Sequence, residues 1–227
     1  MAARESANPA STKASSGLKK SHLHQLSHPL VEHHLARLRD ASTPAALFRS
    51  SLRQLSVLLA FEATKDLELQ DVDVRTPMAT TVGRVLEQRI GLVPILRAGL
   101  GMVDPLLELI PGAEVWHLGV YRDERTLRPV EYYCRLPAAR PVELAMILDP
   151  MLATGGSAVA ALATLHEWSV PRVKLLSVIA AQEGIAQVQT QFPDTQIFVC
   201  AIDPELDVRK FIVPGLGDAG DRLFNTA

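Results

Sequence analysis

Ten consecutive residues carry the densest chemistry in the chain: Leu148-Asp149-Pro150-Met151-Leu152-Ala153-Thr154-Gly155-Gly156-Ser157. An apolar run, Leu144-Ala145-Met146-Ile147, precedes them, and a helical run, Ala158 to Trp168, follows. A loop of small residues between a strand and a helix presents backbone N–H groups. At a helix N-terminus those groups and the helix dipole attract a phosphate monoester. Gly155 and Gly156 permit close approach and dihedrals that other residues avoid. Thr154 and Ser157 add hydroxyl donors. Asp149 stands at the carboxyl end of the strand, where open parallel sheets bind ligands. A carboxylate there can accept hydrogen bonds from two sugar hydroxyls. Phosphate and diol sites in one loop suit a ribose 5-phosphate. The same spacing also fits a tight strand-to-helix turn with Ser157 as its cap, so spacing alone leaves both readings open.

Two other glycine-rich stretches have different uses. Gly215-Leu216-Gly217-Asp218-Ala219-Gly220 matches G-x-G-x-x-G as a string, yet only Asp221 to Ala227 follow it. That is too short for a crossover helix and a second strand, so it is not expected to be a dinucleotide fingerprint. It reads as a shaped surface loop whose peptide groups could hold a flat ring that needs both donors and acceptors. Arg97-Ala98-Gly99-Leu100-Gly101-Met102-Val103-Asp104 follows an apolar strand, but Asp104 fills the third glycine position. No acid closes a second strand about 20 residues on. Arg122 lies in that region instead, which favours an anionic leaving group over a ribose hydroxyl. Arg97 and Arg122 each follow an apolar run, and a guanidinium fork matches phosphate oxygens bidentately. Taken singly, each is equally an ordinary solvated arginine. No G-x-S-x-G, no H-E-x-x-H and no paired nucleophile and base are present.

The elements that would position these residues show in the apolar pattern. Leu30, His34, Leu35 and Leu38 share one helical face after Pro29. Thr43-Pro44 opens a longer helix with a stripe of Leu47, Leu52, Leu55, Leu58 and Leu59. Beyond Ile90, short apolar runs at residues 92–96, 115–120, 144–148, 173–181 and 197–202 alternate with helical stretches at 100–110, 157–168 and 185–191. Continuous apolar runs suit strands buried on both faces of a parallel sheet, and the alternation predicts an α/β fold. Tyr132-Tyr133 falls in a pair of extended segments around Thr126-Leu127-Arg128-Pro129, expected to form an antiparallel arm. Residues 1–27, rich in Ala, Ser, Lys and His, read as a disordered tail, and residues 28–227 as one domain.

The bulk numbers exclude several classes. Of 227 residues, 48% are hydrophobic and 21% charged, and the formal net charge is -2. A general nucleic-acid or membrane-surface binder is therefore not expected. No aliphatic run approaches the roughly 20 residues that span a bilayer. The N-terminus lacks an apolar signal core, so the expected compartment is the cytoplasm. Cys134 and Cys200 lie far apart and read as reduced thiols. Five of the seven histidines fall between His22 and His34 and read as solvated imidazoles rather than a metal site.

Taken together, five stretches resemble the uracil phosphoribosyltransferase family. They are residues 93–102, with Val93-Pro94-Ile95-Leu96-Arg97-Ala98-Gly99; Asp149 to Ser157; Ile212-Val213-Pro214-Gly215 running to Asp221; His28-Pro29-Leu30-Val31; and Phe61-Glu62-Ala63-Thr64-Lys65-Asp66-Leu67. The resemblance covers residue 27 to the C-terminus. Phosphoribosyltransferases for other bases usually carry two adjacent acids before the loop; here Pro150 follows Asp149, as in the uracil family. The resemblance implies a type I phosphoribosyltransferase fold: a twisted parallel sheet flanked by helices, with an N-terminal helical segment and an antiparallel arm around Tyr121 to Pro137. It implies that uracil and phosphoribosyl pyrophosphate (PRPP) give UMP and pyrophosphate. Asp149, Pro150, Met151, Leu152, Ala153, Thr154, Gly155, Gly156 and Ser157 would bind PRPP with Arg97, Arg122 and Asp218, and Asp149 and Arg122 would serve catalysis. Ile212, Gly217, Asp218 and Ala219 would bind uracil. The family uses magnesium, held mainly by the substrate pyrophosphate. It commonly forms homodimers or higher homo-oligomers, and some members are activated by GTP. The rival reading is a regulatory homologue that senses PRPP or a nucleotide without turnover.

Overall fold

Every position of the runs Ile90–Pro94 and Leu144–Leu148 is buried. Neither strand keeps a face for water, so helices must cover both sides of the sheet they form. A computed structural model of the chain describes residues 22–122, 129–134 and 141–226. It opens with β1 (Leu23–Gln25), α1 (Pro29–Arg39) and α2 (Ala45–Ala63), then β2 (Leu69–Arg75), β3 (Thr80–Leu86) and β4 (Ile90–Pro94). A 3-10 turn (Ala98–Met102) runs into α3 (Val103–Leu109), followed by β5 (Glu114–Val115), β6 (Leu118–Arg122) and β7 (Pro129–Cys134). Next come β8 (Leu144–Leu148), β9 (Met151–Leu152), α4 (Gly156–Glu167), β10 (Arg172–Ala181) and α5 (Gln182–Gln191). The chain closes with β11 (Gln196–Asp203), β12 (Glu205–Leu206), β13 (Ile212–Val213) and α6 (Ala219–Phe224).

The main sheet has the order β1-β11-β10-β8-β4-β5, with β9 also paired to β10. All its pairings are parallel. The strand period of two sorts its side chains between two cores. Leu144, Met146 and Leu148 join Leu52, Leu55 and Leu59 of α2 in one. Ala145 and Ile147 join Ala158, Ala161 and Leu165 of α4 in the other. The result is helices on both faces of a parallel sheet, the α/β architecture that the alternating runs predict.

At the amino ends of the strands the packing is closed by a buried cation. Lys174, 2% exposed, donates to the Ala63 carbonyl at 2.6 Å and to the Asp66 carboxylate. Burial holds its ammonium below the usual lysine range against the opposing pull of Asp66. The contact fixes the end of α2 against β10.

Three expectations change. Residues 23–25 are not tail: they form β1, and Leu23, His24 and Gln25 pair with Ile197, Phe198 and Val199. The ordered chain therefore begins before residue 28, while residues 1–21 lie outside the described residues. The expected strand over 115–120 is split, since β5 belongs to the main sheet and β6 pairs antiparallel with β7. That second pair is the expected arm, although it forms its own two-stranded sheet; residues 123–128 and 135–140 lie outside the described residues. A further hairpin, β2 with β3 in full register from Leu69↔Leu86 to Arg75↔Thr80, was not expected. Its signal is the alternation in Asp71-Val72-Asp73-Val74-Arg75, ahead of the turn at Thr76 and Pro77.

Candidate active site

The strand order itself marks where a ligand would sit. From β4 the chain turns through α3 to β5 on one side; from β8 it turns through α4 to β10 on the other. Val103 and Leu106 of α3 lie in one core and Ala158 and Leu162 of α4 in the opposite one. The two connections thus leave the sheet in opposite directions, which opens a crevice at the carboxyl ends of β4 and β8. Arg97 follows β4 and Asp149 follows β8. The Ile95 N–H donates to the Leu148 carbonyl oxygen at 3.0 Å, and a Cβ on Gly99 would collide with the same oxygen. The arginine and aspartate segments are therefore packed side by side.

Asp149 is held by its backbone: its N–H donates to Leu176 at 3.1 Å. The Pro150 carbonyl accepts from Val178 and Ile179, and β9 continues the attachment to β10. The Asp149 Oδ1 accepts from the Met151 N–H at 3.3 Å. Burial outweighs that bond and pushes the carboxyl up to about 7. Gly155, at φ 84°, is the N-cap of α4 and supplies no side-chain hydrogen bond to the first-turn amides. The predicted Ser157 cap is thus not used: Ser157 lies inside the helix. A Cβ on Gly155 would lie 2.9 Å from the Gly184 carbonyl oxygen, because the start of α5 presses against the loop. Asp149, Met151, Leu152, Ala153, Thr154, Gly155, Gly156 and Ser157 line one cavity of about 150 Å3. The structure therefore brings the loop residues picked out by sequence, Pro150 excepted, together at the start of α4.

The C-terminal glycine stretch is a built loop. Ile212 and Val213 pair with Leu206 and Glu205, and Gly215 and Gly217 stand at φ 61° and 76°. Asp218 caps α6, its Oδ1 accepting from the Asp221 N–H at 2.9 Å. Leu216, Ala219 and Leu223 are buried in the core beside α2. Ile212 shares a cavity of about 170 Å3 with Met151 and Ala153, so the two loops adjoin.

Arg97 joins this arrangement through a partner to which the sequence reading assigned no role. Its Nη2 donates to Asp221 Oδ1 at 2.9 Å, the same oxygen that accepts from the Thr226 hydroxyl at 2.7 Å. These bonds hold Asp221 below the usual carboxylate range, the Thr226 hydroxyl contributing most. A Cβ on Gly220 would stand 3.2 Å from Asp218 Oδ1 and 3.6 Å from Arg97 Nη2, so Gly220 leaves room for both charged groups. The available signal was the i, i+3 spacing of Asp218 and Asp221 at a helix start. Arg122 ends β6, its backbone opposite Pro129; its side chain lies outside the described residues.

A lone buried acid and the start of α4 thus stand at the switch point of a parallel sheet, beside a second glycine loop. A family model for uracil phosphoribosyltransferase matches residues 25–226. The uracil phosphoribosyltransferase of Roseiflexus sp. (strain RS-1) is 57% identical over 199 residues, covering 88% of this chain and 96% of the relative. That of Desulfitobacterium hafniense (strain DSM 10664 / DCB-2) is 51% identical over 205 residues, covering 90% and 98%. The solved AQ2163 protein from Aquifex aeolicus superposes with a TM-score of 0.86 at 40% identity, covering 90% of this chain and 99% of that one. The chain belongs to the uracil phosphoribosyltransferase family, pentosyltransferases that convert uracil and PRPP to UMP and pyrophosphate. A sensing homologue without turnover is not favoured.

Proposed function

We propose that the cavity past Asp149 holds the ribose 5-phosphate of PRPP and that the loop from Ile212 to Ala219 holds uracil. The observation that carries this reading is the start of α4, which has no side-chain cap, beside a buried carboxyl. The phosphate lies on the amides from Thr154 to Ser157, and Asp149 accepts from the ribose hydroxyls. Uracil N1 forms its bond to the anomeric carbon as the bond to pyrophosphate breaks and the sugar gains oxocarbenium character, and the N1 proton passes to solvent or to the departing pyrophosphate. Arg97 and Arg122 stabilise the charge that grows on the leaving group. Magnesium, carried chiefly by the donor's own oxygens, would supply charge neutralisation there. Both substrates fixed in one crevice lower the entropic barrier. Peptide groups of the base loop accept from uracil N3–H and donate to O4. Cytosine presents the reverse pattern, a mismatch that can discriminate by roughly 10⁴.

One incubation with labelled uracil, cytosine and hypoxanthine tests the base: UMP alone is expected, and a labelled purine or cytidine nucleotide would refute it. Activation by GTP belongs to the same proposal: adding it to the mixture is expected to raise the rate of UMP formation, and an unchanged rate would refute it. Arg122→Ala is expected to weaken PRPP binding about tenfold by calorimetry, and an unchanged affinity would remove Arg122 from the donor site. A homodimer or higher homo-oligomer belongs to the same proposal. The β2–β3 hairpin supports it, with Met78 at 93% and Val82 at 63% exposure on a ribbon that cannot bury its own apolar side chains. Among the described residues no helix is long and apolar enough to cross a membrane, and we place the enzyme in the cytoplasm.

A further inference from the structure

We propose that Arg39 and Asp203 are positioning residues for base recognition, acting through the peptide of Gly215; the inference rests on the reading that the loop from Ile212 to Ala219 takes uracil. Asp203 ends β11 and is 4% exposed. Its Oδ1 accepts from Arg39 Nη2 at 2.6 Å and its Oδ2 from Arg39 Nη1 at 2.9 Å. The same Oδ2 accepts from the Gly215 N–H at 3.0 Å, and Arg39 Nη1 donates to the Gly215 carbonyl at 2.9 Å. Both backbone polar groups of Gly215 are therefore committed to one ion pair. Arg39 closes α1, far from the loop in sequence.

A bidentate fork fixes orientation as well as distance. Gly215 is the residue whose orientation decides the loop: at φ 61° it lies so close to Ile212 that a Cβ would strike the Ile212 carbonyl oxygen. Turning the Gly215 peptide thus turns Ile212 and Gly217 with it. A second cation secures the far side of the turn. Arg222 donates to the Leu216 carbonyl at 2.8 Å, to Asp40 at 2.6 Å and to Leu38, with its guanidinium 4.4 Å from the Phe48 ring. The end of α1 is clamped to both flanks of the base loop. A loop that reads uracil through peptide donors and acceptors discriminates only as well as those peptides are oriented, and ordering them before binding removes that cost from the binding step.

Steady-state kinetics on Asp203→Asn, Arg39→Gln and Gly217→Ala in the full chain test this, with KM for uracil and for PRPP measured separately and the uracil-to-cytosine ratio of kcat/KM recorded. The two brace variants are expected to raise the uracil KM about tenfold and lower base discrimination, with the PRPP KM within about twofold of its starting value. Gly217→Ala, at φ 76° inside the loop, is expected to raise the uracil KM as well. An unchanged uracil KM in the brace variants, with an effect in Gly217→Ala, overturns the brace alone. No effect in all three overturns the base-loop reading too. Parallel changes in both KM values and thermal stability reduce the pair to a structural role and also overturn the proposal. Should Asp203→Asn not fold, Arg39→Gln carries the test beside Arg39→Lys, which keeps the charge but loses the fork.

Discussion

Asp149→Asn is expected to lower kcat/KM for PRPP about 100-fold while making the substrate-free protein more stable above neutral pH. Both effects follow from one carboxyl enclosed at the end of β8. Burial raises its folded pKa from 3.8 to about 7. Between those values the folded state holds a proton that the unfolded state has released. The contribution to stability is full below about pH 4 and is lost as pH rises through 7. At pH 8 the loss is at most about 4 kcal/mol. Asparagine cannot ionise, so its unfolding curve carries no such pH dependence. Sugar hydroxyls donate to the ionised form and pull the pKa back down, so PRPP binding at pH 6.5 is expected to release protons. Urea titrations at pH 5 and 8 and calorimetry in two buffers of different ionisation enthalpy check these outcomes. Equal pH profiles for the two proteins, or full turnover by the variant, would sink the assignment.

Gly215→Ala is expected to lower kcat/KM for uracil at least about 100-fold, with a much smaller loss of PRPP affinity through Asp218. A residue with a Cβ at φ 61° is strained by roughly 1–2 kcal/mol, and here the added carbon also meets the Ile212 carbonyl oxygen, a backbone atom that cannot step aside. The turn must open, and the peptide groups proposed to read the base move with it. Calorimetric titration with PRPP separates the loops: the Asp149 segment hangs from β8 and β10 and does not share the strain. Undiminished uracil turnover would show that the base binds elsewhere. Deleting the chain from Gly215 onward is a poorer experiment, because it strips Leu216, Ala219 and Leu223 from the core beside α2.

What can be read from the chain before folding depends on how near in sequence the cooperating residues stand. The donor loop is legible because Asp149 through Ser157 are consecutive and their strand and helix flank them directly. The buried strands are legible because a run such as Leu144–Leu148 has no polar face. Distance hides the rest. Arg39 reads as an ordinary last-turn cation, and Asp203 as the end of an apolar run, until the fold places them 2.6 Å apart. Arg97 reads as a ligand group waiting in water, whereas it already has Asp221 and Thr226 around it. β1 escapes notice because three residues cannot declare a period; only the open side of β11 gives them a partner.

That short first strand shapes how the molecule keeps to itself. Along one margin of the main sheet, residues 23–25 cover only Ile197 to Val199, near the start of an eight-residue strand, and along the other only two residues stand at the rim. Ladders this brief offer little backbone for a stray chain to zip onto. A version of the protein shortened to begin at His28 would bare the donors and acceptors of Ile197 to Val199, and the cost would appear as clumping in concentrated solution rather than as lost turnover.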